Sequence, residues 1–167
     1  MEVKDIIDLE TVKTNMNVNT KEEALKELAN LLLENGNISD EKGFIKDIYA
    51  REAEGQTGIG NYLAIPHGKS AYVKKIGVAI GINGTEIPWE SLDDNGVKGI
   101  ILFAVGNDHK ETTSHLKLLS LFARKLGNDE VVREFLQSKS PEDVVKALRQ
   151  HIVDIFYRRI HNSNFFK

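Results

Sequence analysis

Apolar residues recur at helical spacing in two segments of the first third of the chain. In TKEEALKELANLLLENG, Thr20 and Glu23 have the spacing of a capping box, and the pattern ends at Gly36. In DEKGFIKDIYAREAEG, the pattern stops before Gly55, a common residue after a helix. The two apolar stripes consist of Ala24, Leu25, Leu28, Leu31 and Leu32, and of Phe44, Ile45, Ile48 and Tyr49. The sequence therefore predicts two helices, and Arg51 falls in the last turn of the second.

The middle of the chain has the patterns of β-strands. The segment YLAIP ends at Pro66, and KIGVAIGING is rich in β-branched residues and ends in Asn83 and Gly84, a common turn pair. After a loop that contains Trp89 and the turn sequence DDNG, the segment VKGIILFAVG is apolar almost throughout. Such a run is typical of a strand that is buried on both faces. We predict three strands in this region.

Helical patterns return in the last third. Asp108 to Glu111 resembles another cap, and the helix predicted after it carries His115 in its first turns. The segment NDEVVREFLQSK predicts a short helix, and SPEDVVKALRQHI opens with Ser140 as N-cap and Pro141 at the first helical position. The order of helices, strands and helices predicts an α/β fold, a single-domain sandwich with a mixed central sheet flanked by helices.

Residues 1–150 form this predicted domain, and residues 151–167 form a helical extension or tail of different composition. The tail combines four aromatic residues with three basic ones. One interpretation is a helix that packs on its own domain or on a second copy, which would give a homodimer. The other is a segment that docks on a membrane surface or a partner, because interfacial helices also combine basic and aromatic residues. The sequence leaves both open.

Composition and charge argue against several classes of function. The 167 residues, of which 41% are hydrophobic, suit one globular domain with a core. A net charge of -3 without a block of Lys and Arg argues against nucleic-acid binding. The longest apolar run, IILFAV, is too short to cross a bilayer, and the N-terminus lacks the apolar run of a secretory signal, so we expect a cytoplasmic protein. Because cysteine is absent, covalent chemistry needs another nucleophile.

The end of YLAIP carries the most specific chemical prediction. Pro66 lacks an N–H and pushes Ile65 into an extended conformation, so the strand must end where the imidazole of His67 begins. We expect Gly68, which has no side chain, to leave room for a large group beside one ring nitrogen. A neutral imidazole is a nucleophile at neutral pH when one nitrogen holds the proton and the other presents its lone pair. A ring presented in this way can accept a phosphoryl group and pass it on.

Phosphoryl transfer needs hydrogen-bond donors and positive charge around the acceptor. The loop GQTGIGN offers backbone N–H groups, with Thr57 and Asn61 as side-chain donors, and Arg51 offers permanent charge. The alternative for Thr57 and Asn61 is local loop geometry, and the alternative for Arg51 is capping of its helix. The loop completes neither a Rossmann fingerprint nor a P-loop, so we predict no dinucleotide or nucleoside triphosphate site. The spacing of the histidines predicts no metal, and we expect no cofactor.

The run from Glu52 through GIGNYLAIPHG resembles the active-site signature of one known family. This family is the enzyme IIA domain of the fructose and mannitol class (type 2) of the bacterial phosphoenolpyruvate-dependent sugar phosphotransferase system. The pattern consists of an acidic residue, six positions, an aliphatic residue and Gly, two positions, and then aliphatic-Ala-aliphatic-Pro-His-Gly. The helices KEEALKELANLL and SHLKLLSLFARKL, and the helix that ends in Arg51, are also similar, so the resemblance covers roughly residues 1–150.

The resemblance implies a function, a set of partners and three site residues. The histidine matching His67 takes a phosphoryl group from the phosphocarrier protein HPr and yields it to a cysteine on an enzyme IIB domain. The membrane enters only through enzyme IIC, which admits the sugar. Residues matching Arg51 and His115 line the site in that family. The resemblance implies that Arg51 compensates phosphate charge and that His115 donates a hydrogen bond or positive charge near the transferring group. The alternative for His115 is a residue on a helix surface.

Asn61 separates members of this family. Mannitol-type members often carry an acidic residue there, so the amide places the chain nearer the fructose-type and nitrogen-regulatory members. The leading hypothesis is therefore a phosphotransferase of a fructose-type sugar-uptake relay. The alternative is a nitrogen-regulatory module, in which phosphorylation of His67 controls protein partners. A third class is an interaction domain whose histidine never turns over.

Overall fold

A computed structural model describes residues 6–149 of the chain, except the side chains of residues 109–111. The predicted tail at 151–167 lies outside the described residues. Within the described residues, five α-helices surround a six-stranded sheet. The strands are β1 (Val12–Met16), β2 (Gly58–Gly60), β3 (Leu63–Ala64), β4 (Lys69–Ser70), β5 (Gly77–Ile87) and β6 (Val97–Gly106). The helices are α1 (Lys21–Glu34), α2 (Glu41–Glu52), α3 (His109–Lys125), α4 (Asp129–Leu136) and α5 (residues 141–149).

The sheet is mixed, as predicted. Its order is β1-β5-β6-β3-β2, and β4 pairs with β6 further along the same edge as β3. Strands β5 and β6 run antiparallel, whereas β1 is parallel to β5 and both β3 and β4 are parallel to β6. Strand β6 therefore lies at the centre, with a long antiparallel partner on one side and two short parallel partners on the other.

Side chains of β6 point alternately into two apolar layers. Ile101, Phe103 and Val105 belong to the cluster that α3, α4 and α5 cover, whereas the intervening residues belong to the cluster under α1 and α2. Phe103 meets the Phe122 ring of α3 edge to face, with ring centroids 5.0 Å apart. The arrangement confirms the predicted α/β sandwich and explains why the sequence of β6 is apolar almost throughout.

Helix boundaries follow the predicted caps with two differences. The Thr20 side chain accepts a hydrogen bond from the Glu23 N–H at 3.1 Å, and Ser140 accepts one from the Asp143 N–H at 3.2 Å. The Glu23 carboxylate, however, accepts from the Asn19 N–H instead of the Thr20 N–H, so the capping box is shifted by one residue. Helix α2 ends at Glu52, before the predicted Gly55. The N–H groups of Glu54 and Gly55 each donate to the carbonyl three residues earlier, instead of four as in an α-helix.

The predicted turn at Asn83 and Gly84 is wrong. Strand β5 continues through both residues to Ile87. The buried Asn83 side chain forms two bonds of 2.9 Å with the backbone of Val18, one from the Val18 N–H and one to its carbonyl. The amide therefore extends the pairing between β1 and β5 as a backbone group would, and a pair of residues common in turns sits inside a strand.

Candidate active site

The segment between β3 and β4 presents His67. Leu63 pairs with Gly99 and Lys69 pairs with Val105, so the register is the same on both sides of the interruption. In the interrupted segment, the Pro66 carbonyl accepts a hydrogen bond of 3.0 Å from the Phe103 N–H of β6. Pro66 itself has no N–H that could donate to β6. The strand therefore breaks at Pro66 and resumes after the histidine, which confirms the predicted end of the strand.

One nitrogen of the His67 ring is committed to the backbone. Nδ1 lies 2.9 Å from the Ile65 carbonyl oxygen, which can only accept a hydrogen bond, so Nδ1 holds the proton and Nε2 carries the lone pair. Burial lowers the pKa of His67 below 6.5 and the charge of Arg51 adds to this, while the Ile65 hydrogen bond and Glu52 act in the opposite direction. The ring is consequently a neutral Nδ1–H tautomer at neutral pH, with Nε2 as the nucleophilic atom.

His67 lines a cavity of about 340 Å³ between α2 and the broken strand. Helix α2 contributes Asp47, Ala50 and Arg51, with Glu54 just beyond its end, and the other wall consists of His67, Gly68, Lys69, Val105 and Leu116. The cavity thus combines a nucleophilic nitrogen, two cationic side chains and two carboxylates around an apolar back wall.

Arg51 both contacts the backbone after its helix and lines the cavity. Its Nη1 donates a hydrogen bond of 2.9 Å to the Gly55 carbonyl, so it stabilises the turn that follows α2. The same side chain lines the cavity with His67. A guanidinium has five N–H donors, so one bond to the backbone leaves the group able to contact an anion while its orientation is fixed.

Gly68 has a different role from the predicted one. A Cβ at this position would lie 2.6 Å from the Asp47 carbonyl oxygen and 3.2 Å from the Ile48 nitrogen. On the side where a Cβ would lie, the space beside Gly68 is therefore occupied by the backbone of α2. The missing side chain lets α2, and Arg51 with it, approach the histidine closely.

His115 is buried, which contradicts the alternative of a residue on a helix surface. It is 6% exposed, and its Nδ1 accepts a hydrogen bond of 3.1 Å from the Gly106 N–H. The Thr112 hydroxyl donates to the Gly106 carbonyl. Two residues of α3 therefore bind the N–H and the carbonyl of Gly106, the last residue of β6. Because Nδ1 accepts, the proton of the neutral His115 ring is on Nε2. The neighbour of His115, Leu116, lines the cavity.

Thr57 and Asn61 lie outside the cavity. Thr57 is buried, and its hydroxyl donates to the Glu52 carboxylate. Asn61 and Tyr62, with φ of 55° and 63°, form the tight turn between β2 and β3. The structure therefore places both predicted donors in the local geometry of the loop.

Two of the backbone donors predicted for this loop are also occupied. The N–H groups of Gly60 and Asn61 donate to Ser91 at 3.1 Å and to Asp93 at 3.0 Å. Three of the seven residues of the supposed loop form strand β2, which pairs with β3. The glycine-rich composition reflects close packing instead, because a Cβ at Gly58 would lie 2.4 Å from the Glu90 carbonyl oxygen.

Sequence reasoning missed Lys69 and the acidic residues of the cavity. Asp47, Arg51 and Glu54 are spaced by four and three residues, which places polar groups on one face at the end of a helix. Lys69 follows the motif directly and starts β4, so its position next to the histidine could have been predicted from the continuing strand.

Comparison of the chain with models of known protein families agrees with the geometry of the His67 cavity. The family model for the phosphoenolpyruvate-dependent sugar phosphotransferase system, EIIA 2, matches residues 5–151. The chain belongs to the EIIA 2 family. Members of this family mediate phosphoryl transfer in the sugar phosphotransferase system. Among the described residues, no helix is long and apolar enough to cross a membrane.

Relatives of the EIIA 2 chain include fused and separate proteins. The chain is 28% identical over 151 residues to the fructose-specific EIIABC component of Bacillus subtilis, covering 90% of this chain and 24% of that protein. The solved nitrogen regulatory protein IIA-Ntr of Neisseria meningitidis is 27% identical with a TM-score of 0.79, covering 87% of this chain and 98% of that one. The chain thus spans about a quarter of the fused relative.

The fold is also shared with a solved complex from Escherichia coli, that of enzyme IIA of the mannitol system with phosphorylated enzyme IIB. That match has a TM-score of 0.71 and 21% identity, and covers 86% of this chain and 98% of the other. At this identity the match shows that the fold is the same.

Proposed function

We propose that this EIIA domain is a phosphoryl carrier of a sugar-uptake relay, with Nε2 of His67 as the atom that carries the phosphoryl group. The Nε2 lone pair attacks phosphorus on phosphorylated HPr, and the bond between phosphorus and the donor breaks as the new N–P bond forms. A cysteine thiolate of an EIIB domain then attacks the same phosphorus, and the N–P electron pair returns to Nε2. The observation that carries the proposal is the hydrogen bond of 2.9 Å between Nδ1 and the Ile65 carbonyl.

The fixed tautomer supports both transfers. While Nε2 carries the phosphoryl group, Nδ1 keeps its proton and the ring gains positive charge, which the Ile65 carbonyl stabilises by accepting a hydrogen bond. The lowered pKa of the free ring, caused mainly by burial, keeps Nε2 unprotonated before each turnover. The ring needs no separate general base, because its nucleophilic nitrogen carries no proton.

Arg51 and His115 are proposed to stabilise the transferring group. Arg51 lines the cavity beside His67 and compensates the negative charge on the equatorial oxygens. The His115 ring, fixed at Nδ1 by Gly106, is in the tautomer that carries a donor at Nε2. Lys69 adds a second cation at the same cavity.

Phosphate labelling tests the proposal. Incubation with phosphoenolpyruvate, enzyme I and HPr is expected to give an acid-labile, base-stable phosphate on the wild-type chain and none on His67→Ala. A thermal melt of His67→Ala shows whether the variant is folded. An unlabelled wild-type chain, or undiminished label on a folded His67→Ala, contradicts the proposal.

The sugar system is proposed from the relatives. The Bacillus relative is named for fructose and joins components A, B and C in one protein, which favours a fructose-type relay with an EIIB acceptor. Addition of a fructose-type EIIB domain to the labelled chain is expected to move the phosphate to a cysteine thiol. Retention of the label by the chain contradicts a transport role with that acceptor.

The alternative is a nitrogen-regulatory module whose phosphorylation controls protein partners. The observation that favours it is the similarity to IIA-Ntr of Neisseria meningitidis, which extends over 98% of that protein. In this case the label stays on His67 when EIIB domains are added, and binding to a partner protein differs between the phosphorylated and unphosphorylated chain.

A further inference from the structure

Two adjacent residues at the end of α2 face different cavities. Arg51 lines the cavity of His67, whereas Glu52 lines a second cavity with Lys21 and Glu90. The Glu52 side chain is only 7% exposed, and a carboxylate so deeply buried must be paired. Lys21 Nζ donates to one oxygen at 2.8 Å, and the Thr57 hydroxyl donates to the other. Both oxygens of the carboxylate are therefore engaged.

Hydrogen bonds connect this carboxylate to the reactive ring. The Thr57 hydroxyl is bonded to Glu52, and the Thr57 carbonyl accepts from the Ile65 N–H at 3.0 Å. The Ile65 carbonyl in turn accepts from Nδ1 of His67 at 2.9 Å. The residue that fixes the tautomer of the ring is thus itself held in place by Thr57.

We propose that Glu52 is a positioning residue for phosphoryl transfer, acting on His67 through the Thr57 hydroxyl and the backbone of Ile65. The proposal deepens the function proposed above and rests on it. It assigns a task to the acidic residue that opens the sequence motif, and it moves Thr57 from contact with the phosphoryl group to the support of the nucleophile. Neither residue lines the cavity where the reaction is proposed to occur.

Lys21 fixes the far end of this connection. Burial alone would lower the pKa of Lys21, but its hydrogen bonds to Glu52 and Glu90 and the charges of both carboxylates raise it. Its Nζ also lies 4.9 Å from the centre of the Trp89 ring, within the range of a cation–π contact. Lys21, the first residue of α1, therefore holds the Glu52 carboxylate against Thr57. The ring is thus supported by residues from α1, from the end of α2 and from the segment just before β2.

A matched set of threonine variants tests the connection. Thr57→Val keeps the shape of the side chain but removes the donor to Glu52, and Thr57→Ser restores it. Thr11→Val is the control, because the Thr11 hydroxyl is also buried and donates to a backbone carbonyl, that of Val78, at 2.7 Å. The control measures the general effect of losing a buried hydroxyl.

The first readout is the tautomer of His67 in the unphosphorylated protein, from ¹⁵N chemical shifts of the imidazole. We expect Thr57→Val to increase the Nε2–H fraction and to slow phosphoryl acceptance about tenfold, the order of effect when one orienting hydrogen bond is lost. Thr57→Ser should restore both values, and Thr11→Val should leave both unchanged.

A double-mutant cycle provides the second readout. Glu52→Met removes the acceptor while keeping similar volume, and Lys21 retains Glu90 as a partner. If Glu52 acts through Thr57, the effects of Glu52→Met and Thr57→Val on the tautomer and on the rate are not additive. Additive effects overturn the proposal. If Thr57→Val does not fold, Glu52→Met alone decides: a wild-type tautomer and rate contradict the proposal, and a shift in both supports it.

This test separates the two proposals. The tautomer is measured without any phosphoryl donor, so its response to Thr57→Val reports on the connection alone. A wild-type chain that takes no phosphate contradicts the proposed function, even where the tautomer responds. A wild-type chain that takes phosphate, combined with a folded Thr57→Val of unchanged tautomer and rate, overturns only the positioning role.

Discussion

The imidazole rings of His67 and His115 are held in opposite ways. His67 follows a broken strand and donates from Nδ1 to the Ile65 carbonyl, whereas His115 lies on α3 and accepts at Nδ1 from the Gly106 N–H. The backbone partner therefore decides which nitrogen of each ring carries the proton. One ring presents a lone pair at Nε2 and the other a proton at Nε2. The two tautomers suit the roles proposed for them, His67 as nucleophile and His115 as donor.

The largest effect in the supporting groups is expected for Arg51→Ala. Loss of the guanidinium removes permanent positive charge from the cavity of His67, and we expect the rate of phosphoryl acceptance to fall by about 10²- to 10³-fold. Stopped-flow or quench measurements with phosphorylated HPr give this rate. Arg51→Lys is the control, because it keeps the charge and loses the fork of donors. A rate near wild type in Arg51→Ala would show that Arg51 serves only to stabilise the turn through its hydrogen bond to the Gly55 carbonyl.

Two substitutions of His115 separate its donor from its structural bond. His115→Asn can still accept from the Gly106 N–H but has no group at the position of Nε2, whereas His115→Ala loses both. If Nε2–H stabilises the transferring group, both variants slow transfer by about 10²-fold and only His115→Ala also loses stability. The rate and the thermal midpoint are measured for each. Full activity in His115→Asn would show that the residue is structural.

How much of this arrangement is predictable depends on the range of the interactions. Pro66, His67 and Gly68 are adjacent, and the local effects of proline predict where the strand breaks. The tautomer of His115 depends on Gly106, which reaches the ring only after α3 folds back on β6. Strand β1, whose sequence VKTNM has three polar residues, was not predicted, because its pairing with β5 compensates for weak local preference.

The loop shows why composition alone misleads. Glycines near a predicted phosphate site suggest free backbone donors, but the N–H groups of Gly60 and Asn61 serve Ser91 and Asp93. The partners are some 30 residues further along the chain, so no local pattern could reveal them. The partner of Thr57 is nearer, since Glu52 lies only five residues before it, but the sequence does not show that the Thr57 hydroxyl faces that carboxylate.

Gly68→Ala is expected to disturb the packing of α2 against the segment that carries His67. A Cβ would lie 2.6 Å from the Asp47 carbonyl oxygen and must displace α2, at a cost of about 1–3 kcal/mol in the free energy of unfolding. Gly84→Ala is the control, because a Cβ there meets nothing within 4 Å. Denaturant unfolding of the two variants gives the difference. Equal stability would contradict the close approach of α2.

The smallest expected effect is the dependence of stability on pH through His67. Burial lowers the pKa of the folded ring below the 6.5 of an unfolded histidine, so the unfolded chain binds the proton first as pH falls. The contribution of His67 is constant above pH 6.5, and the free energy of unfolding falls between 6.5 and the folded pKa. His67→Gln should remove this part of the slope. An identical slope in both proteins would contradict the lowered pKa.

The most direct test of the account is the position of phosphate on the ring. We predict that ¹⁵N and ³¹P NMR of the phosphorylated chain show a single N–P bond at Nε2 of His67, with the proton of Nδ1 retained and protected by the Ile65 carbonyl. Phosphate on Nδ1, or on any residue other than His67, would contradict the claim that the backbone selects the nucleophile.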